Sequence, residues 1–124
     1  MKKKSTLQKK ERLKSRATIE ELFKNGQRFT LSPFRVHFSV SAAEVLQFGA
    51  GVVTRNFKKA VDRNRIKRLT REAYRLQKDR LKNGLDKKKT GLNLFLIYTG
   101  KELPDYKLVY DKVNVILNKL CKLL

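Results

Sequence analysis

The chain has 124 residues, of which 31 are Lys or Arg and 11 are Asp or Glu, so its formal net charge is +20. The length fits one domain, and a charge so far from zero exceeds what solubility requires and predicts a polyanionic partner. A single cysteine excludes an intrachain disulfide and a cysteine-based zinc site, and no apolar stretch approaches the ~20 residues of a membrane-spanning helix.

The N-terminal segment is basic and has no apolar periodicity. We interpret residues 1–14 as a flexible arm that precedes one domain at residues 15–124. Met1 is followed by polar residues and not by the apolar core of a secretory signal. Together with the single cysteine, this predicts a cytoplasmic protein that makes no membrane contact.

A capping box marks the first predicted helix. Thr18 is followed three residues later by Glu21, and the apolar side chains between residues 18 and 25 share one face. Asn25-Gly26 predicts a left-handed C-terminal stop, so we expect a helix over residues 18–25.

Three apolar stretches predict strands. Residues 33–40 alternate, with Phe34, Val36 and Phe38 toward a core and Arg35, His37 and Ser39 on a polar face available to a ligand. Residues 46–54 contain two glycines and predict an antiparallel partner strand. Residues 92–98 are apolar on both faces, as expected for a central strand.

Two helices complete the predicted order. Residues 58–82 have helical period, residues 82–90 are predicted to form a loop, and a last helix is predicted from Pro104. The last helix should bury Val109, Val113, Ile116, Leu117 and Leu120. The longer helix should bury Ile66, Leu69, Ala73 and Leu76, with its opposite arc formed by Arg63, Asn64, Lys67, Arg68, Arg71, Tyr74, Arg75 and Lys78.

More than half of the net charge lies in the region that contains the longer helix. Fifteen basic and four acidic groups lie between residues 55 and 90, and cations at 63, 67, 71 and 75 follow one another at one-turn spacing. Like charges at this spacing repel by a few tenths of a kcal/mol per pair, and phosphates would neutralise them. A solvated helix face is the alternative interpretation. Asn64 can donate and accept hydrogen bonds, which suits a sugar, a base edge or a hydrated metal.

The same helix carries a motif: an Ala, two residues, Arg-Asn-Arg, an aliphatic residue, Lys-Arg, two residues and Arg. In this respect the chain resembles the protein component of bacterial ribonuclease P, whose motif it matches at Ala60, Arg63, Asn64, Arg65, Ile66, Lys67, Arg68 and Arg71. Weaker similarity extends over about residues 9–120, including Leu22–Gly26, Phe34–His37 and Val53–Arg55.

The resemblance implies an α+β sandwich of order αβββαβα with one central mixed sheet, similar to a domain of elongation factor G. It also implies a left-handed crossover around the basic helix, where general rules favour a right-handed one. In that family the catalyst is an RNA, and the ribonucleoprotein is an endoribonuclease that uses Mg²⁺, held mainly by the RNA, to remove the 5′ leader of precursor tRNA. One protein per catalytic RNA is expected.

Positions carried over from the family define the expected contacts. The catalytic RNA would be bound by Arg63, Asn64, Arg65, Lys67, Arg68, Arg71 and Arg75, with RNA-bound magnesium near Asn64. The leader cleft would be formed by Ile19, Phe23, Arg35, His37, Thr54, Arg55, Lys67 and Arg71. No catalytic residue is expected in the protein. Ile19 and His37 replace the usual Phe and Tyr and so reduce the aromatic area for stacking on bases.

Two other functions compete with this interpretation. A protein-only nuclease needs converging carboxylates or paired histidines, whereas acidic residues are sparse and His37 is the single histidine. A structural RNA-binding protein, such as a ribosomal protein, is compatible with the composition but is not expected to carry the complete motif.

Overall fold

A computed structural model of the chain describes residues 11–124. Four helices and four strands occur in the order αβββααβα. They are α1 (Arg16–Asn25), β1 (Gln27–Leu31), β2 (Phe34–Ser41), β3 (Leu46–Val52), α2 (Ala60–Gln77), α3 (Asp79–Lys88), β4 (Gly91–Tyr98) and α4 (Tyr106–Leu123). A short 3₁₀ helix, Thr54–Asn56, lies between β3 and α2. The α+β class and the mixed sheet are confirmed, and one helix more is present than the family order implies.

The four strands form one sheet in the order β1-β2-β4-β3. The central position expected for β4 is confirmed: it pairs antiparallel with β2 and parallel with β3. The predicted antiparallel pairing of β3 is therefore wrong. Between β3 and β4 the chain runs through two helices before it re-enters the sheet, and such a long crossover allows both strands to point the same way.

One face of the sheet carries the core. Phe34, Val36 and Phe38 of β2 are buried as predicted, and they align with the buried side chains of β4. α2 and α4 cover this face, and all five predicted inward residues of α4 are fully buried. α4 begins after Asp105, whose carboxylate accepts from the amide of Leu108 at 2.9 Å, so Pro104 lies just before the helix and not in its first turn.

The buried stripe of α2 differs from the predicted one. Ile66 and Ala73 are buried as expected, but Leu76 is 54% exposed and Tyr74, placed on the outer arc, is 1% exposed. The Tyr74 ring stacks on Phe48 of β3 with centroids 3.9 Å apart and planes 3° from parallel. A tyrosine side chain has an apolar ring and a polar hydroxyl, so a sequence pattern does not show whether it is buried or exposed. Tyr74 is buried because its ring stacks on Phe48 of the sheet.

The predicted loop at residues 82–90 is a helix, α3. Leu81 and Leu85 are one turn apart and both are buried, so their packing outweighs the turn tendency of Asn83-Gly84. The predicted long helix is divided at Lys78, and the side-chain amide of Gln77 there donates to the carbonyls of Ala73 and Tyr110 at 3.1 Å.

The caps of α1 also differ from the prediction. Ser15, not Thr18, is the N-cap, and its hydroxyl accepts from the Thr18 amide at 3.3 Å. Gly26 has φ −77°, so the helix does not end in a left-handed residue. A glycine is required here for space, since an added Cβ would lie 2.5 Å from the Leu22 carbonyl oxygen.

Residues 11–14 form a segment that we call the N-terminal strap. Leu13 is buried, its amide donates to the Phe48 carbonyl at 2.9 Å, and Arg12 forms a parallel bridge with Phe48. The strap is also attached to the end of α2, because Glu11 and Lys78 form an ion pair at 2.6 Å. These four residues of the predicted arm therefore lie along the edge of β3. The rest of the predicted arm, residues 1–10, lies outside the described residues.

Candidate nucleic-acid interface

The outer side of α2 is an exposed cationic surface. Asn64, Arg65, Arg68 and Arg71 are all exposed, and the buried stripe on the opposite side holds the helix against the sheet. At 100° per residue, Arg68 points directly away from that stripe, while Lys67 and Arg71 turn toward the side on which Tyr74 meets β3. α2 therefore offers two groups of cations, one facing outward and one facing the edge of the sheet.

Two predicted binding residues of α2 have partners within the protein. The Arg63 guanidinium donates from Nη1 to the carbonyls of Phe57 and Lys58 at 2.8 and 2.9 Å, and so ties the preceding segment to the first turn of the helix. Arg75 forms an ion pair with Glu72, and this carboxylate raises the pKa of Arg75. Both side chains are half-buried, so their role in the structure is partly to shape the surface.

On the sheet face opposite the core, three rings form an aromatic cluster. Phe23 of α1 lies 4.5 Å from the His37 ring and 5.3 Å from the Phe95 ring, centroid to centroid. Phe23 is 40% exposed, whereas His37 is only 5% exposed. The polar face predicted for β2 is therefore not open at His37, because Phe23 covers the imidazole.

The burial of His37 lowers its pKa from the ordinary value of 6.5, and the positive charges of Arg35 and Arg28 lower it further. The His37 imidazole is therefore protonated at a lower pH in the folded protein than in the unfolded chain. The contribution of His37 to stability is therefore present above pH 6.5 and decreases as the pH falls below that value.

We expect the melting temperature of the free protein to fall as the pH is lowered from 7 to 5, and a His37→Phe variant to lose part of this fall. The variant keeps a ring beneath Phe23 but has no group to protonate. Thermal unfolding of both proteins in a pH series tests this, and parallel curves would contradict it.

Next to the aromatic cluster lies a groove of about 210 Å³ at the edge of β3. The strap contributes Arg12 and Lys14, α2 contributes Arg71, and the sheet contributes Gly49 and Phe95. Arg71 is exposed as a residue but partly desolvated by its neighbours, and this desolvation and the positive charge of Arg12 lower its pKa. The groove therefore has several positive charges close to one another, and the ring of Phe95 also lines it.

The other predicted cleft residues are dispersed. Ile19 is half-buried on α1, and Arg35 is exposed on β2. Thr54 and Arg55 are exposed in the short 3₁₀ helix, which Asn56 anchors by donating to the carbonyls of Thr99 and Gly100 at 3.2 and 3.3 Å. Within residues 11–124, no hydrogen bond, ion pair or ring contact joins Thr54 or Arg55 to the aromatic cluster.

Four residues of the groove were not predicted as site residues from the sequence: Arg12, Lys14, Gly49 and Phe95. Two signals were present. A glycine inside a strand indicates that another group approaches closely, and a central strand apolar on both faces presents a second ring away from the core. Arg12 and Lys14 lie in a segment, Arg12-Leu13-Lys14, that resembles the first segment of the family, but this resemblance does not place them beside β3, and only the fold does so.

Residues 11–124 contain no group of three His, Cys, Asp or Glu side chains placed to hold a metal ion. No helix within this range is both long and apolar enough to cross a membrane.

Comparison with known proteins gives a consistent family. Residues 7–121 match the family model described as Ribonuclease P. A ribonuclease P protein component from Porphyromonas gingivalis strain W83 is 35% identical over 106 residues, covering 83% of this chain and 77% of the relative. The solved RNase P protein from Thermotoga maritima is 26% identical with a TM-score of 0.70, covering 88% of this chain and 96% of that one. The Staphylococcus aureus RNase P protein, 19% identical with a TM-score of 0.71 and coverages of 89% and 94%, shares the fold.

Proposed function

The chain belongs to the ribonuclease P protein family, and we propose that it binds the catalytic RNA of this ribonucleoprotein and the 5′ leader of precursor tRNA. Membership implies an RNA partner and a part in tRNA processing. The finer assignment, which surface binds which RNA, rests on the geometry of α2.

The observation that carries the assignment is the division of the cations of α2. Arg65 and Arg68 are exposed on the outer side, where a large folded RNA can approach without meeting the sheet. Arg71 lines the groove at the edge of β3, and Lys67 precedes it by one turn. With a volume of about 210 Å³, the groove has room for part of a single strand and not for a duplex. We therefore assign the outer group to the catalytic RNA and Lys67 and Arg71 to the leader.

Arginine and lysine suit these two tasks. The planar guanidinium groups of Arg65 and Arg68 can each bind phosphate oxygens with two parallel hydrogen bonds, which favours a fixed RNA backbone. A lysine ammonium is a compact point charge on a flexible stem, and it tolerates leaders of different sequence. The protein's contribution is thus electrostatic, and the affinity for RNA should weaken steeply with salt.

We further propose that Mg²⁺ is held mainly by phosphates of the RNA and supplies the Lewis-acid chemistry of cleavage there. Asn64 fits an auxiliary role, because its amide is exposed between the cations of the outer surface and can accept a hydrogen bond from a water on the ion. Magnesium usually keeps several of its waters, which makes such an indirect contact suitable. We place the complex in the cytoplasm with one protein per RNA.

A reconstituted enzyme tests the proposal. Mixed with a bacterial ribonuclease P RNA at low magnesium, the chain should stimulate 5′ cleavage of precursor tRNA. The Lys67→Ala variant should lose about tenfold in affinity for precursor tRNA, as expected when one charge-assisted hydrogen bond is removed. Its affinity for mature tRNA should be unchanged, because mature tRNA has no leader.

Three outcomes would contradict the proposal. Without any stimulation of cleavage, the chain would not act as the protein subunit for that RNA. Equal losses for precursor and mature tRNA would remove Lys67 from the leader site. Cleavage by the chain without added RNA would favour a protein-only nuclease.

A further inference from the structure

Residues 53–59 join β3 to α2, and we call them the β3–α2 connection. The side-chain amide of Asn56 donates to the carbonyls of Thr99 and Gly100, which follow β4, at 3.2 and 3.3 Å. Phe57 is next in the chain, and its side chain is buried in the core. The first part of the connection is therefore fixed to the end of β4.

The second part of the connection is held by Arg63, in the first turns of α2. Its Nη1 donates to the carbonyls of Phe57 and Lys58 at 2.8 and 2.9 Å, and both hydrogens of this nitrogen are thereby used. Within residues 11–124, neither carbonyl accepts a main-chain hydrogen bond. Arg63 therefore supplies the hydrogen bonds that fix the chain just before the helix begins, and their loss would leave two polar groups without a protein partner.

Arg63 faces the sheet side of α2 and not its outer surface. It precedes Thr70 by seven residues, close to two helical turns, so the two side chains lie on the same side of the helix. Thr70 is 1% exposed and Arg63 is half-buried, whereas Arg65 and Arg68 are exposed. An RNA on the outer surface can therefore contact Arg65 and Arg68 directly without reaching Arg63.

The part of the connection that Arg63 holds carries two exposed lysines. Lys58 and Lys59 come immediately before α2, so they extend its basic surface beyond the first turn. Neither lysine takes part in a salt bridge in the described part of the chain, residues 11–124. Two neighbouring ammonium groups without acidic partners suit phosphates, and a main chain fixed in advance lowers the ordering cost of binding.

We propose that Arg63 is a positioning residue, which acts through the main chain of the β3–α2 connection to hold Lys58 and Lys59 in place for phosphates of the catalytic RNA. Arg63 makes no RNA contact of its own. Asn56 has the same role at the other end of the connection. The inference rests on the proposed function and adds the connection to the surface that binds the catalytic RNA.

The test is a double-mutant cycle on the affinity of the full chain for a bacterial ribonuclease P RNA. Lys58→Ala and Lys59→Ala together should weaken binding about tenfold, because two phosphate contacts are lost. Arg63→Met should weaken binding by a similar factor, because it keeps the aliphatic stem but releases both lysines. All three changes combined should still weaken binding only about tenfold, since effects that pass through the same contacts do not multiply.

Arg65→Met is the matched control, because Arg65 is exposed and is assigned a phosphate of its own. Combined with the lysine pair, it should weaken binding about a hundredfold, as expected for independent contacts. Asn56→Ala removes no charge but frees the other end of the connection. It should also weaken binding and leave little further effect of the lysine pair, and it keeps the cycle measurable if Arg63→Met does not fold.

Losses that multiply for Arg63→Met and the lysine pair would make Arg63 an RNA contact in its own right and would overturn the inference. Unchanged affinity in the lysine pair would also overturn it. If Arg65→Met still binds more weakly in that case, the proposed function remains intact. If neither Arg65→Met nor the lysine pair changes the affinity, the outer surface of α2 does not bind the catalytic RNA, and the proposed function fails together with the inference.

Discussion

Replacing Arg65 and Arg68 together by alanine should weaken binding of the catalytic RNA about a hundredfold. Each exposed guanidinium is assigned to a phosphate, and a charge-assisted hydrogen bond contributes about 1.5 kcal/mol or more, so two losses combine to about 3 kcal/mol. Two fewer neutralised phosphates should also reduce the slope of log K against log salt by about 1.5. Equilibrium binding over a salt series measures both quantities.

The matched control is a double variant in which Lys87→Ala and Lys88→Ala are combined. It removes the same net charge from two exposed residues at the end of α3, away from the outer surface of α2. If affinity followed overall charge alone, both double variants would lose the same affinity for the catalytic RNA, and the assignment of the outer surface would be wrong. A loss confined to the Arg65 and Arg68 pair would show that position on α2 decides.

The elements that could be predicted from the sequence are those with a strong local pattern. The alternation of β2 and the apolar stripe of α4 each have one interpretation that buries all the apolar side chains, and the structure confirms both. The motif on α2 likewise identified the family, because it requires particular side chains at particular spacings.

The features that could not be predicted depend on contacts distant in sequence. β3 is parallel to β4 because residues 53–90 cross the sheet, and no local pattern records which edge a strand joins. α3 forms because Leu81 and Leu85 find a place in the core, although Asn83-Gly84 between them favours a turn. Local propensity gives way to burial in each case.

The site divides in the same way. The cations of α2 were evident from their spacing, whereas the groove needs the strap, α2 and two strands in their folded positions. His37 illustrates the limit: alternation correctly placed it on the face away from the core, but the covering of that face by Phe23 depends on where α1 packs. The residue types in the sequence indicate which chemical groups the site contains. Tertiary packing decides which of these groups a ligand can reach.

The largest effect on stability is expected from Tyr74→Ala. The change removes a fully buried ring and its stacking on Phe48, and similar truncations cost about 3–5 kcal/mol. Since a domain of this size is stable by only about 5–15 kcal/mol, much of the variant's stability should be lost. The free energy of unfolding from urea titration measures the change.

The Leu76→Ala variant distinguishes the burial seen in the structure from the pattern that helical periodicity predicted, in which Leu76 points inward and Tyr74 outward. Leu76 is 54% exposed two residues further along α2, and its truncation should change stability by less than about 0.5 kcal/mol. Tyr74→Leu should fall between the two, and it keeps the comparison measurable if Tyr74→Ala is unfolded in water. A larger loss in Leu76→Ala than in Tyr74→Leu would mean that α2 is rotated about its axis. The outward direction of Arg68 and the approach of Arg71 to the groove would then be wrong as well, because one rotation of the helix sets all four positions.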